Sequence, residues 1–407
     1  MQKGWVTTMP PAQNKRSAVM MCALAALLLY GVSAGIRGDI GILLNPLSQS
    51  TGCPYQNVSF AIAVMQLAFG VFQPLFGILA VRRSDRFVLI LGIALYLLGT
   101  AVLPFIRSMA GLLTAVGLLL GAGAGAVSFG VILSAYISAA GPEYGAVISG
   151  MINAAAGIGS TVLAALMQGS LSRGGLSSAS ALLSLSLLLL VPFTLYMTHL
   201  SAGNAQPRSS SDAKSSFSAR EIFRSAFADR TFRLLLCGFS TCGFHMAIIE
   251  AHLFSQFLSY GIDRRSTALA FGVYGLATVA GSLISGFFSA RFPRGKMLGI
   301  YYGFRAVWAA AYLFFMPKNF FTACLFSIGL GLTGAATVPP TSGLVNRQFP
   351  LRWTAALMGF LFMCHQIGAF LSASLGGICA ARTGSYITLW CIDMLLCSFA
   401  SLASFRI

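Results

Sequence analysis

Few residues in this 407-residue chain are able to do chemistry, and they sit inside long apolar runs. Arg37, Asp39, His245, Glu250, His252, Arg305 and the pair His365-Gln366 interrupt stretches otherwise made of aliphatic, aromatic and small side chains. An ionisable group facing hydrocarbon costs at least about 2.5 kcal/mol, so each is expected to face a cavity or a partner. Arg37 carries a guanidinium that stays protonated and grips a carboxylate with two hydrogen bonds. Glu250, Asp39 and His252 are groups that take up and release a proton. Binding of a small anion beside a proton carrier is the chemistry this set suits. The same residues also admit structural readings: Arg37 paired with a helix end or a neighbouring acid, and the two acids standing in water near a cavity mouth. Asn153, Gln66 and Gln73 could hydrogen-bond a ligand or simply join helices.

His245, Glu250 and His252 together suggest a metal centre, but helical geometry argues against one. At 100° and 1.5 Å per residue, His245 and His252 share a face but lie about 10 Å apart, and Glu250 points about 140° from one and 200° from the other. No His-Glu-x-x-His occurs. The sequence therefore predicts no catalytic residue, no metal and no cofactor. The nine cysteines lie mostly within apolar runs, so no disulfide framework is expected.

The elements that must position these residues are membrane helices. Charged residues make up 9% and hydrophobic residues 57% of the chain, with a mean hydropathy of +0.81, whereas a soluble protein carries about a quarter charged residues. With about 20 apolar residues needed per crossing, the runs give twelve spans: 17–47, 56–81, 87–106, 110–140, 145–172, 177–200, 233–260, 267–290, 297–316, 320–345, 354–381 and 386–406. An even number of spans puts both termini on one side. Eighteen of the Lys and Arg residues fall on that side and six on the other, with Arg37 and Arg305 left inside spans. That side is therefore cytoplasmic, and the net charge of +17 reports topology rather than nucleic-acid binding. Lys15-Arg16 before an apolar run imitates a secretory signal, but its removal would leave unequal halves, so it begins an uncleaved first helix.

The halves correspond because the chain repeats at a spacing of about 208 residues. Gly35-Ile36-Arg37 returns as Gly243-Phe244-His245, Gly121-Ala122-Gly123 as Gly329-Leu330-Gly331, Arg82 as Arg291, and Ile158-Gly159 as Ile367-Gly368. Parallel membrane repeats point to a transporter in which one half rocks against the other around a central site. On this reading residues 1–200 form a first six-helix bundle and 233–407 a second, with Arg37 and His245 facing each other across the pseudo-twofold axis. Residues 201–232 join them. Their second part sets Ile222, Phe223, Phe227 and Phe232 among Arg220, Arg224, Arg230 and Arg233, which suits an amphipathic helix on anionic headgroups.

Ala34-Gly35-Ile36-Arg37, Gln73-Pro74-Leu75-Phe76-Gly77, Cys242-Gly243-Phe244-His245, Val338-Pro339-Pro340-Thr341-Ser342-Gly343-Leu344-Val345 and His365-Gln366-Ile367-Gly368-Ala369-Phe370 occur in that order along the chain. The pattern resembles the major facilitator superfamily, and within it the bacterial branch similar to monocarboxylate transporters. The resemblance implies an all-α fold of twelve transmembrane helices in two pseudo-symmetric bundles, whose first, fourth, seventh and tenth spans line a cavity, with small carboxylates as substrates. It implies His365, Gln366 and Arg305 as family positions. Arg305 lies on a helix outside the cavity and reads as structural or gating, and Asp393, on the peripheral twelfth span, ranks below Glu250 and Asp39. Pro339-Pro340 breaks the tenth helix and allows a gating bend.

The chain also departs from the family. The loop after the second span normally carries an acid before its arginine, yet here Val81-Arg82-Arg83-Ser84 precedes Asp85, and Ala290-Arg291 lacks the acid altogether, so a cytoplasmic charge latch at Arg82 and Arg291 must be built differently. The buried arginine of the fourth span and the Gly-Pro of the fifth, usual in drug exporters, are absent. The expected protein is a monomeric, proton-coupled secondary transporter of a small organic anion in the bacterial inner membrane. Arg37, His245, His365, Gln366 and Asn153 are its substrate candidates, and Glu250, Asp39 and His252 its proton carriers. Transport of a larger metabolite, such as a siderophore or a drug, is the alternative.

Overall fold

The apolar runs fold as helices because every backbone polar group in hydrocarbon must be satisfied within its own segment. The structure, a computed structural model, describes residues 12–141, 145–203, 219–350 and 353–407. Its membrane-length helices run Arg16–Gly38, Tyr55–Ala80, Asp85–Phe105, Met109–Ala140, Gly150–Leu200, Arg230–Ser259, Arg264–Ser289, Arg294–Phe315, Phe320–Gln348, Leu357–Thr383 and Ile387–Ser404. The 51-residue member bends at Gly174 and Gly175, where Gly175 takes φ +61°, and so makes two crossings. Twelve spans result, numbered here first to twelfth. Those of the second half follow those of the first in the same order.

The repeat extends to the irregularities. The first span, expected to continue to residue 47, stops at Gly38 and passes through a 3₁₀ turn, Ile40–Leu43, while the seventh widens into a π-helical segment, Ile248–Leu253. At an offset of 208 these coincide. So do the breaks of the fourth span, after Ala126, and of the tenth, after Gly334. In the first half glycine lets the backbones of the first and fifth spans touch, since a Cβ on Gly159 would strike the carbonyl of Gly31. The second half repeats this seam between the seventh and eleventh spans, where Gly368 meets the carbonyl of Ser240. Gly159→Val should therefore cost about 2 kcal/mol or more through overpacking against backbone that cannot yield. Melting of the purified protein in detergent should fall by about 2 °C; an unchanged melting point would show that the seam is loose.

The two halves meet along two pairs of helices. Ser59 of the second span donates to the Ala373 carbonyl of the eleventh at 2.6 Å, and Thr161 of the fifth donates to Gly272 of the eighth at 2.9 Å. Towards the face carrying Arg82 to Arg86 the same helices expose Leu75, Ile78, Asn153 and Leu283. Both of these hydrogen bonds between the halves lie away from the Arg82 face. All nine cysteines are free.

The connector ends in a helix packed on the second half. Residues 204–218 lie outside the described set, and the amphipathic helix Ala219–Ala228 rests part of its apolar face on protein. Phe223 and Phe227 pack on Phe360 with ring centroids 5.1 and 5.5 Å apart, and Ala226 is buried. Burial against a fixed aromatic surface offers the same apolar contact as the headgroup boundary and ties this helix to the second half.

Candidate functional site

The first and seventh spans cross where both lose regular helix. Gly41, in the 3₁₀ turn, approaches the carbonyls of Glu250 and Ala251 so closely that a Cβ there would collide with them. Beside this crossing Arg37, on the last turn of the first helix, donates from Nη1 to Glu250 Oε2 at 2.9 Å and to Gln66 Oε1 at 3.1 Å. Gln66 Nε2 donates to the same Glu250 oxygen at 2.7 Å, and the guanidinium lies 4.8 Å from the centre of the Phe69 ring. A cation from one half and an acid from the other are thus joined through an amide of the second span.

The pair is not sealed. Arg37 lies about 31 Å along the first helix from Arg16 at 1.5 Å per residue, yet its side chain keeps 20% of its surface exposed, against 9% for Glu250. Both of its hydrogen bonds leave from Nη1, so among the described residues Nη2 and Nε have no hydrogen-bond partner. That is the edge a carboxylate could take in bidentate fashion.

Asp39, two residues on, is separate from this pair. It is fully buried against the fifth span, where Ser160 donates to Oδ1 at 2.6 Å, and Oδ2 has no partner among the described residues. His245 does not face Arg37 as the repeat suggested. It is fully buried, and its Nδ1 bonds Asp393 Oδ2 of the twelfth span at 2.7 Å, with Cys397 next to the carboxylate. The reason is reach: an imidazole one carbon from the backbone stays within its bundle, where Asp393 waits. Counting back 208 from Asp393 gives Leu185, which offers Arg37 nothing. Asp393, placed below the other acids in sequence, is the partner of one of the buried histidines. The imidazole, carboxylate and thiol lie within 4.8 Å of one another, and Asp393 joins the other two by direct hydrogen bonds, 2.7 Å to His245 and 3.7 Å to Cys397. The short His245–Asp393 bond locks two helices together.

His252 lies towards the face opposite Arg82 to Arg86. Its Nε2 bonds the Ala373 carbonyl at 3.0 Å, which makes Nδ1 the acceptor for Tyr55 at 3.1 Å, and Tyr55 in turn meets Tyr386 at 2.6 Å. This chain ties the second span to three spans of the other half. His365 is half-buried between Phe239 and Phe362, its Nδ1 without a partner among the described residues, and Gln366 is buried against Gly70 with Oε1 likewise unpaired. Asn153 is exposed, without a hydrogen bond to the Arg37 cluster. Arg82 and Arg291 are exposed, Arg291 stacking 3.7 Å from the Phe287 ring centre.

Arg305 is fully buried and holds the broken tenth helix. Pro339 and Pro340 have no N–H to give, so the carbonyls before them need other donors. Val338 turns back to Ala335, Ser285 donates to Ala336 at 2.5 Å, and Arg305 Nη2 donates to Thr333 at 2.5 Å and Gly334 at 2.9 Å. Its Nη1 reaches Cys242 Sγ at 3.3 Å. Sequence reasoning gave Arg305 a structural role but not these acceptors. It also passed over Tyr55, Phe69 and Ser160, which carry no charge and so no signal of membrane cost.

Comparison with known proteins decides the family. The chain matches the Major Facilitator Superfamily over residues 21–263 and 253–406. It belongs to the major facilitator superfamily. A Bacillus subtilis (strain 168) MFS-type transporter, YcxA, is 22% identical over 359 residues, 86% of each chain. Among solved structures, the xylose transporter XylE from E. coli, in a partially occluded inward open conformation, superposes with a TM-score of 0.72 at 10% identity, covering 96% of this chain and 98% of that one. A D-xylose-proton symporter gives 0.71 at 13% identity over 96% and 97%, and the E. coli fucose:proton symporter FucP 0.63 at 18% over 96% and 98%. This superfamily member is therefore a multi-pass membrane transporter with two six-helix bundles, in which the two halves' first spans meet at Arg37 and Glu250.

Proposed function

We propose that this transporter moves a small organic anion, a monocarboxylate or similar acid, inward across the bacterial cytoplasmic membrane together with a proton. The observation that carries the reading is the partly exposed Arg37–Glu250 pair bridging the halves. When Glu250 takes a proton its hold on Arg37 weakens, and a substrate carboxylate replaces it on the guanidinium. Charge in the pocket stays balanced through the exchange. On release of both to the cytoplasm, Glu250 returns to Arg37 and the empty carrier resets. Asp39 is the second proton site. Asn153, with His365 beyond it, faces the substrate's route to the side of both termini, the cytoplasmic one, and buried Gln366 backs that route against Gly70. His252 with its two tyrosines is the outer latch. The units 1–200 and 233–407 rock about Gly41, with 201–232 as tether, and one chain suffices.

A second reading is a neutral sugar. Its support is the pair itself, since Arg37 is already matched by Glu250, and the named substrates of the solved relatives, xylose and fucose. Siderophore or drug transport stands behind both. Uptake into proteoliposomes of lactate, pyruvate, dicarboxylates, xylose, fucose and a siderophore, each with and without a pH gradient, separates them. Acid uptake driven by the gradient is expected, and sugar uptake in preference to every acid would sink the anion reading. Arg37→Lys should lower acid uptake about ten-fold, the loss of one charge-assisted hydrogen bond; unchanged uptake would remove the clamp.

A further inference from the structure

A groove of about 650 Å³ opens between the third and sixth spans, away from the central site. Its walls are apolar, with Phe87, Leu91 and Ala94 on one side and Val191 and Leu195 on the other, and Arg86 stands at one end. From Arg86 to Ala94 the third helix advances about 12 Å at 1.5 Å per residue, so the charged end lies at the membrane boundary and the apolar walls run into the hydrocarbon. Arg86 is exposed, and among the described residues it has no ion pair or hydrogen bond. Arg82 and Arg83 are exposed on the same turn. Among the described residues, the neighbouring acid Asp85 is buried and interacts with Ser134 of the fourth span. The hydroxyl of Ser84 is engaged as the cap of the third helix, accepting from Phe87 N at 3.1 Å. Ser84 keeps its O–H free to donate, and among the described residues Arg86 is the charged group on the groove wall.

The geometry points to a site for an anionic phospholipid, one acyl chain in the groove and its phosphate on Arg86. A planar guanidinium matches phosphate oxygens in pairs. A choline or ethanolamine headgroup offers the same phosphate but adds a cation, which Arg82, Arg83 and Arg86 together repel. Charge thus selects phosphatidylglycerol over phosphatidylcholine, and the groove selects a chain over a free anion.

Native mass spectrometry of the full chain in neutral detergent, with equimolar phosphatidylglycerol and phosphatidylcholine of identical tails, tests this. One phosphatidylglycerol should be retained about five-fold in preference, the factor expected for one Arg near a charged surface. Arg86→Gln should erase the preference. Ala94→Trp, which fills an exposed part of the groove, should lower retention of both lipids without changing the melting point. Equal retention of the two lipids by the wild type would overturn the site. So would a preference that survives Arg86→Gln but is lost in Arg82→Gln, because that is the behaviour of a diffuse basic belt.

Discussion

Glu250→Gln should abolish accumulation of substrate against a gradient while leaving exchange of labelled for unlabelled substrate close to wild type. The amide keeps the shape of the carboxyl group and can still accept from Arg37 and Gln66, which hold Glu250 at 2.9 and 2.7 Å. It cannot take up or release a proton. Exchange needs only a loaded carrier that turns over in both directions, whereas net uptake needs the empty carrier to return, and that step is where the carboxylate reclaims Arg37. Uphill uptake should fall about a hundred-fold or more, the lower range for loss of a proton-transferring group. Charge balance adds a second expectation. A monoanion entering with one proton moves no net charge, so a potassium diffusion potential should leave wild-type uptake unchanged. Gradient-driven accumulation by the Glu250→Gln variant would shift the coupling to Asp39, and a strong response to potential would rule out one proton per monoanion.

What the sequence disclosed of this site follows from the cost of charge in lipid. Arg37, Glu250 and Asp39 stood out because nothing but a cavity or a partner tolerates them, and the structure gives each a polar environment. Their pairing was not readable. The repeat assigned His245 to Arg37, since equal positions in equal halves suggest equal directions, but side chains of different reach on equivalent backbones find different partners. His245 found Asp393 within its own bundle, and Arg37, with an apolar residue at the equivalent place, turned to the centre. The π segment Ile248–Leu253 is equally invisible to a count at 100° per residue. Helix number, by contrast, was legible throughout, because length and apolarity decide it. Where helices stop inside the membrane was legible only at Pro339-Pro340. The matching break after Ala126 has no proline, and the first span's break at Gly38 has only a glycine that serves equally well in a helix seam.

The break in the tenth span makes Arg305 the residue whose loss should cost most in stability. Arg305→Ala would remove the donor to the carbonyls of Thr333 and Gly334 and to Cys242 Sγ, all buried. Hydrogen bonds from a charged donor contribute about 1.5–3 kcal/mol each, and acceptors left unpaired out of water cost a comparable amount. A loss of at least about 3 kcal/mol is expected, lowering the melting point in detergent by about 4 °C. Arg305→Lys should recover only part, because one ammonium cannot reach the acceptors that two guanidinium nitrogens divide between them. The proline step supplies a stricter check. Pro339→Ala and Pro340→Ala together restore two backbone N–H donors for Ala335 and Ala336, freeing the Val338 N–H from Ala335 to return to Gly334, one of the acceptors Arg305 now serves. If Arg305 acts by satisfying that break, removing it in the alanine background should cost less than in the wild type, with a coupling of about 1 kcal/mol or more. Additive losses would mean that Arg305 acts through Cys242 and the seventh span instead. A straightened tenth helix should at the same time slow transport, since the bend that needs Arg305 is the one that lets the helix move.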